Sequence, residues 1–591
     1  MFKLYITFLL IQYKLKFKYL AILNKHTDMA GGLMNLVSEG QQNIILNGNP
    51  SKTFWKSTYQ KYTNFGIQKF RVDFEGARTL RLTEESKFTF KIPRYADLLM
   101  DCYLSMELPN IWSCIMPPQL VTNPDGTTFY TDWAPYEFKW IDNLGAIMIS
   151  EILITCGNQT LQQYSGQYLL SAVQRDFSAD KKALFSEMIG NLPELNDPGN
   201  AGTRTNSYPN AYYTASPAGP EPSIRGKILY VPINAWFGIK SQMAFPLVSL
   251  QYNELHITVT MRPINEMFRI RDVFDYVNNF PYIAPNFNQF YQQMYRFLQP
   301  PPDIELGPTS YLDTRTIWNS DIHLNCTYCF LSNDEVQLFA KNEQKYLFKQ
   351  VHESVFYNVT GANKIQLDSI GLVTSWMWFF QRSDANLRNE WTNYFNWPYN
   401  YIPNDLVQAP TQGTVVVPNW NAPPDEVSVG PGVNPDGLLT GLMICSDYSM
   451  QNTKQILLVL GILLDGQYRE NLQPAGVYNF IEKYVRTSGN APDGLYCYNF
   501  CLHTTPYDLQ PSGAINMNRF NTVEMEFTTI LPQLDPLAQV LTICDPNSGD
   551  IIGINKPTWR IFDYNFNFYL MEERINVVHF VGGNCALMYA T

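Results

Sequence analysis

LQYNELHITVTMRP, residues 250–263, alternates along its second half. Leu255, Ile257, Val259 and Met261 are apolar, while His256, Thr258, Thr260 and Arg262 between them are polar. A period of two buries one face of a strand and leaves the other wet. The same pattern returns in NTVEMEFTT, residues 521–529, where Val523, Met525 and Phe527 alternate with Glu524, Glu526 and Thr528. Each copy follows a strand-like run and a Pro-containing loop, and Val259 and Phe527 lie 268 residues apart, close to half of the 591-residue chain. Two β-domains of one design in tandem are the expectation.

Working outward, KFTFKIPR (87–94), CYLSMELP (102–109) and Ile147–Cys156 read as strands before the first copy. GQYLLSAVQRDFSADKKALFSEMIGN (166–191) is helix-prone, with a break around 177–180. After the copy, residues 275–310 are rich in Asn, Tyr and Pro, and the domain junction is expected there. HLNCTYCFL (323–331) then opens the second half. In SNDEVQLFAKNEQKYLF (332–348), Ser332 with Glu335 fits a capping box, and Val336, Phe339, Ala340 and Leu347 keep a helical period. VTSWMWFFQRSD (373–384) is a dense strand, and QILLVLGILL (455–464) is open between strand and buried helix. Residues 559–590 read as two strands around a turn at Gly582-Gly583. Eight to ten short strands per half, few helices and very long loops (110–135, 192–225, 385–440) argue for antiparallel sandwiches. The fold class expected is therefore all-β: two tandem eight-stranded antiparallel jelly rolls with a few short helices and long loops.

Composition agrees. Hydrophobic residues make up 45 %, aromatics 14 % and charged residues only 16 %. Such a surface favours protein–protein contact. The net charge is −11, and because residues 1–28 hold five Lys and one Asp, the remainder carries −15. A chain this acidic, with no Lys/Arg run beyond residue 28, has no footprint for a phosphate backbone, so no direct nucleic-acid partner is expected. Ten cysteines are too few for a disulfide scaffold and suit buried thiols in a reducing cytosol. Residues 1–28 are too short and too charged in their apolar run for a membrane span and lack a small-residue cleavage site. They read as a dispensable leader or an upstream extension of a start at Met29. Residues 29–52 read as an N-terminal arm, 53–275 as the first jelly roll, 276–310 as a linker or insertion and 311–591 as the second jelly roll.

Candidate chemistry is thin. No pair among His26, His256, His323, His352, His503 and His579 has the helical spacing of a metal site, and Ser512 lacks a nucleophile-elbow pattern. Glu524 and Glu526 share one strand face, so they do not face each other across a bound sugar as glycosidase carboxylates do. No catalytic, cofactor-binding or metal-binding residue is expected. Sequons at Asn158, Asn325 and Asn358 are candidate N-glycosylation sites.

Across nearly all of 29–591 the chain resembles the double jelly-roll major capsid proteins of the nucleocytoplasmic large DNA viruses, the giant, mimivirus-like members above all. The stretches that carry the resemblance include GGLMNLVSEGQQNIILNGNPSKTFWKSTYQKYTNF (31–65), FKIPRYADLL (90–99), WIDNLGAIMISEILITCGNQTL (140–161), LYVPINAWF (229–237), FPLVSLQYNELHITVTMRP (245–263), YCFLSNDEVQLFA (328–340), LQPSGAINMNRFN (509–521) and VHFVGGNCALMYA (578–590). The resemblance implies a non-enzymatic virion structural protein made and assembled in the host cytoplasm. It implies homotrimers that form pseudo-hexagonal blocks tiling an icosahedral capsid. It also implies outward loops, an arm at the base, and minor capsid proteins or an internal membrane as partners there. A tandem β-sandwich carbohydrate-binding protein or glycosidase is the competing expectation, with Trp376 and Trp378 stacking on sugar.

Overall fold

The computed structural model describes residues 41–589 except 77–78, 114, 117–119, 123–127, 131–133, 212–220, 274, 276–279, 303–309, 401–452, 533, 535–537, 539–540, 545–548, 550 and 556–558. The expectation for residues 1–28, the first part of the arm and most of the loop 385–440 lie outside the described residues. Residues 1–63 and 64–591 are two separate units. In the first, a 3-10 turn at Gln41–Asn43 leads into a helical turn at Ile44–Asn47, and every described side chain from 41 to 63 is exposed.

The second unit holds two sandwiches. The strands of the first are β1 (Phe65–Val72), β2 (Ser86–Lys91), β3 (Leu98–Glu107), β4 (Ile149–Cys156), β5 (Gln159–Tyr164), β6 (Ile228–Pro232), β7 (Leu255–Met261) and β8 (His323–Leu331). They form one sheet in the order β1-β8-β3-β6 and a second in the order β5-β4-β7-β2. The strands of the second sandwich are β9 (Gln344–Phe356), β10 (Ala362–Gln366), β11 (Leu372–Arg382), β12 (Leu457–Leu464), β13 (Gln467–Pro474), β14 (Tyr496–Asn499), β15 (Val523–Thr529) and β16 (Phe566–Val581). Their sheets run β9-β16-β11-β14 and β10-β15-β12-β13. The two orders are the same when the strands are numbered within each sandwich, and all pairings are antiparallel. This is the jelly-roll arrangement, in which the last strand returns between the first and the third.

The two alternating stretches occupy the same place in this arrangement. β7 lies between β4 and β2, and β15 lies between β12 and β10. Val523, Met525, Phe527 and Thr529 point inward from β15, as Leu255, Ile257, Val259 and Met261 do from β7. Their approach is also repeated. Phe245–Pro246 pairs with β3 in the opposite sheet and a 3-10 turn at Leu247–Ser249 then leads to β7. Ile515–Asn516 pairs with β11, and the turn Met517–Arg519 leads to β15. Full burial of each Leu, Ile, Val or Phe on these faces contributes about 1.5–3 kcal/mol.

Three expectations are corrected. HLNCTYCFL does not open the second half: as β8 it pairs with β1 from Phe65↔Leu331 to Val72↔Leu324 and with β3 on its other side. A long connection, residues 262–322, separates β7 from this closing strand, and a chain read linearly breaks at that connection. The helix after it, α3 (Asn333–Lys341), is shorter than 332–348 because Gln344 onward, with Leu347, is the first strand of the second sandwich. No residue of α3 is buried, and Ser332 meets the Glu335 carboxylate at 3.4 Å without capping a backbone N–H. The open reading of 455–464 resolves to strand β12. The expected helical stretch forms as α1 (Gly166–Asp176) and α2 (Ala179–Met188), with the break at 177–178.

Candidate functional site

In a molecule with this architecture the place to look is where one sandwich meets the other. The β5–β6 connection of the first sandwich carries α1, and α1 lies on the outer face of the second sandwich's sheet β9-β16-β11-β14. Ser165 caps α1, its side chain accepting from Tyr168 N, while its own N–H donates to the Glu353 carboxylate on β9 at 2.8 Å. Gln162 Nε2 donates to Lys349 O at 3.0 Å and Gln350 Nε2 donates back to Leu161 O at 3.1 Å, tying β5 to β9.

At the far end of α1, Arg175 is fully buried. Its guanidinium donates to Asp176 at 2.7 and 2.9 Å, to Glu573 on β16 at 2.7 Å and to the Ser375 hydroxyl on β11 at 3.2 Å. Glu573 also accepts from Tyr168 Oη at 2.9 Å, Ser375 Oγ at 2.7 Å and Lys349 Nζ at 3.2 Å. Burial raises the Glu573 carboxyl, but Arg175 and Lys349 outweigh it and hold the group well below the usual carboxylate range. Thr504 Oγ1 donates to the Asp176 carboxylate, and Gly489 N donates to Arg175 O at 2.8 Å. A Cβ at Gly489 would sit 2.5 Å from that oxygen, so the close approach needs glycine. Every charge in the cluster has partners, which is the condition under which buried ions are tolerated.

A second patch joins β7–β8 connection residues to the loop after β11. Arg269 pairs with Asp142 at 2.8 Å and with Glu390, and the Asn389 amide donates to Asn265 O and Phe268 O at 2.7 Å each. Trp391 Nε1 donates to Glu266 O at 3.0 Å, and the Arg262 guanidinium stands 4.3 Å over the Trp391 ring. Burial pushes Glu390 up to about 7 despite Arg269. In a third patch, the hairpin of β16 and β17 (Asn584–Leu587) reaches the first sandwich. Gln251 N and Tyr252 N both donate to Gly583 O, at 2.9 and 3.2 Å, and Leu587 N donates to Gln159 Oε1 at 3.1 Å. One apolar cluster runs through the joint, taking in Phe348, Val578 and Phe580 with the first sandwich's core.

The sheet facing α1 is buried on both sides. Trp376, Trp378 and Phe380 of β11 point into the second sandwich, while Met377 and Phe379 pack on the outside with Met571 and, across the joint, Tyr168. This explains the uninterrupted apolar run VTSWMWFF. Trp376 and Trp378 are both fully buried, so they offer no face to a sugar.

The residues weighed from sequence fall apart as sites. Glu524 is salt-bridged to Lys364 at 2.9 Å and Glu526 accepts from Tyr468 Oη at 2.7 Å, both on the wet face of one sheet. His503, Asp508 and Ser512 share a loop, with His503 Nδ1 3.3 Å from Asp508. The Ser512 hydroxyl, however, donates to His503 O at 2.7 Å and accepts from His503 N, so it holds a turn and does not engage the imidazole as a nucleophile must. Asn158 and Asn358 are exposed at turns, whereas Asn325 lies in β8 between two strands and donates to Ser105 Oγ at 2.6 Å. A cleft of about 120 Å³ beside α1 is walled by Trp236, Phe348 and Val173; of its charged groups, Asp176, Lys349 and Glu573 are engaged within the cluster of Arg175 and Thr504, and Asp508 stands against His503. The buried cluster itself escaped the sequence reading. Its signals are Arg175-Asp176 ending an apolar helix face and Glu572-Glu573-Arg574 interrupting a strand that otherwise alternates.

The family model described as the major capsid protein N-terminus matches residues 53–324. The chain is 24 % identical to the major capsid protein of Phaeocystis pouchetii virus over 577 residues, covering 91 % of this chain and 97 % of that one. It is 29 % identical to the major capsid protein of Chrysochromulina ericina virus, covering 58 % and 55 % of the two. Its fold is similar to the major capsid protein of Faustovirus with a TM-score of 0.55 at 13 % identity, covering 94 % of this chain and 98 % of that one.

Proposed function

We infer that this chain, which belongs to the double jelly-roll major capsid proteins of the nucleocytoplasmic large DNA viruses, builds the icosahedral shell of a large double-stranded DNA virus as a homotrimer with six similar lobes. The observation that carries this reading is the fixed joint between two sandwiches of one strand order. Two sandwiches of one strand order locked by a buried ionic cluster behave as a rigid block, and three such blocks imitate a hexagon.

The repeat also supports a specific trimer contact. α1 of the first sandwich covers the outer face of the second sandwich's four-stranded sheet. The matching sheet of the first sandwich leaves Phe65, Ile67, Ile228 and Tyr230 exposed, and the matching helical segment of the second sandwich, Val477–Ile481 continuing as Glu482–Arg486, exposes Phe480, Ile481, Tyr484 and Val485. Docking that segment on the next copy's first sandwich repeats the intrachain joint between chains, and a head-to-tail contact of this kind closes into a ring.

The wider reading follows the family. The block assembles in the host cytoplasm and has no catalytic role. Residues up to about 52 act as an arm at the base, where minor capsid proteins or an internal membrane are the partners, and the acidic chain makes no direct contact with nucleic acid. The strand pairing supports a junction within 332–343, past the 276–310 expected from sequence. Exposure supports Asn158 and Asn358 over Asn325 as glycan sites. Mass photometry of the purified chain tests the central reading. The expected mass is three times 68.1 kDa, falling to one chain in Tyr484→Asp. A wild-type monomer that binds glycans overturns it.

A further inference from the structure

We propose that Cys156 and Cys585 form a redox-controlled disulfide that fastens the β16–β17 hairpin to the first sandwich. Cys156 ends β4 in the first sandwich, and Cys585 lies in β17, 429 residues further along the chain. Both are buried, at 1 % and 4 % exposure, in one apolar cluster, and Leu587 N, two residues past Cys585, donates to Gln159 Oε1, three residues past Cys156, at 3.1 Å. The surroundings fix both ends of this contact. Gly583 takes a φ of +81° and its carbonyl is held by two N–H groups of the first sandwich, a Cβ at this position would come within 2.8 Å of Gln251, and the Asn253 amide donates to Cys585 O at 3.5 Å. Among the described residues no three His, Cys, Asp or Glu groups gather as metal ligands, so the pair is not part of a larger ligand set. Two adjacent sulfurs on separately folded parts are placed to crosslink.

The contact with Cys156 and burial push the Cys585 thiol far above its ordinary value, so in the closed joint the Cys585 sulfur stays protonated and unreactive. The chemistry therefore belongs to the hairpin before or between dockings. The Cys156 thiolate attacks a small-molecule disulfide such as oxidised glutathione, giving a mixed disulfide and one released thiol. The Cys585 thiolate then attacks the Cys156 sulfur and expels the second thiol. The protein loses two electrons, the oxidant disulfide takes them up, and the two protons leave the cysteines for the two glutathione thiolates. In a reducing cytosol the hairpin stays uncrosslinked, and outside the cell the crosslink closes a loop of more than four hundred residues, the kind that most restricts the unfolded chain.

A second adjacent pair supplies the control. Cys102 and Cys326 sit directly opposite one another on β3 and β8, wholly inside the first sandwich. The test equilibrates the purified full-length chain in excess oxidised glutathione, blocks free thiols and maps non-reduced peptides by mass spectrometry. The expected product is a peptide linking Cys156 to Cys585, with a melting temperature at least about 3 °C above the reduced chain. Cys156→Ser and Cys585→Ser each abolish the link and the shift, while Cys102→Ser keeps both. Recovery of Cys156 and Cys585 as blocked free thiols, a link confined to Cys102 and Cys326, or a link without any change in melting overturns the proposal. Should either serine variant fail to fold, the peptide map and melting of the unsubstituted chain still decide.

Discussion

The two sandwiches share one strand order and differ in what their helical connections do. In the first, α1 and α2 fill the β5–β6 connection, and α1 is buried against the second sandwich. In the second, the β13–β14 connection is shorter and turns Phe480, Ile481, Tyr484 and Val485 outward, Tyr484 at 91 % exposure. The sheets beneath differ to match: β14 is buried on both faces, whereas its counterpart β6 leaves Ile228 and Tyr230 exposed. One design thus serves an inner joint that is complete within the chain and a matching outer joint that a single chain leaves open.

Removing one member of the inner joint's cluster gives the largest effect. Arg175→Ala strands Glu573 and Asp176 without their main partner and costs about 3–5 kcal/mol in urea unfolding, whereas Tyr484→Asp leaves the stability of the isolated chain within about 0.5 kcal/mol. If the two cost the same, the distinction between inner and outer joint fails.

The two junction carboxylates sharpen the comparison through pH. Burial pushes Glu390 up to about 7 from an ordinary 4.5, so the folded chain keeps a proton that the unfolded chain has lost. The stability tied to that proton is complete below pH 4.5 and lost as pH rises through 7, a fall of roughly 3 kcal/mol. Glu573 runs the other way, since its depressed value gives stability above pH 4.5 that is lost only as pH falls far into acid. Unfolding of Glu390→Gln between pH 5 and 8 is expected to lack the decline seen in the unsubstituted chain, and an unchanged slope would assign the decline to another group.

The smallest contrast concerns the polar positions of the repeated strands, Thr258 being buried and Glu524 partly exposed. β7 carries Thr258 3.3 Å from Thr89 across the strand pair, where β15 carries Glu524 salt-bridged to the half-exposed Lys364. Lys364→Ala costs about 0.2–1 kcal/mol and the loss fades in high salt, while Thr258→Ala gives a loss of the same order that salt does not alter. Thermal melts at two ionic strengths separate them.

Much of this architecture is legible in the residues. Alternation located β7 and β15 and their spacing exposed the duplication, because side-chain period alone sets which face is buried. β8 was not assignable that way: its partners β1 and β3 are more than two hundred residues upstream, and nothing local in HLNCTYCFL names them. α3 was overextended because Leu347 continues the helical period by coincidence, while its pairing with Val577 on β16 makes it strand. Trp376 and Trp378 share a face as their spacing requires, but only packing tells that the face is interior. The joint's charges are visible as anomalies in apolar runs, yet Arg175 and Glu573 are 398 residues apart and meet only in three dimensions.

The closing position of β8 has a consequence for the chain as it is made. Phe65 has no partner until Leu331 has left the ribosome, and β9 waits in the same way for Phe580. During synthesis each sandwich therefore stands for most of its length as an open sheet with its first strand unpaired, and it shuts in one late step. Slow, non-local closure of this kind exposes strand edges to other nascent chains. Translation speed and chaperone supply over residues 65–331 and 344–580 thus govern how much of the protein reaches its assembled form.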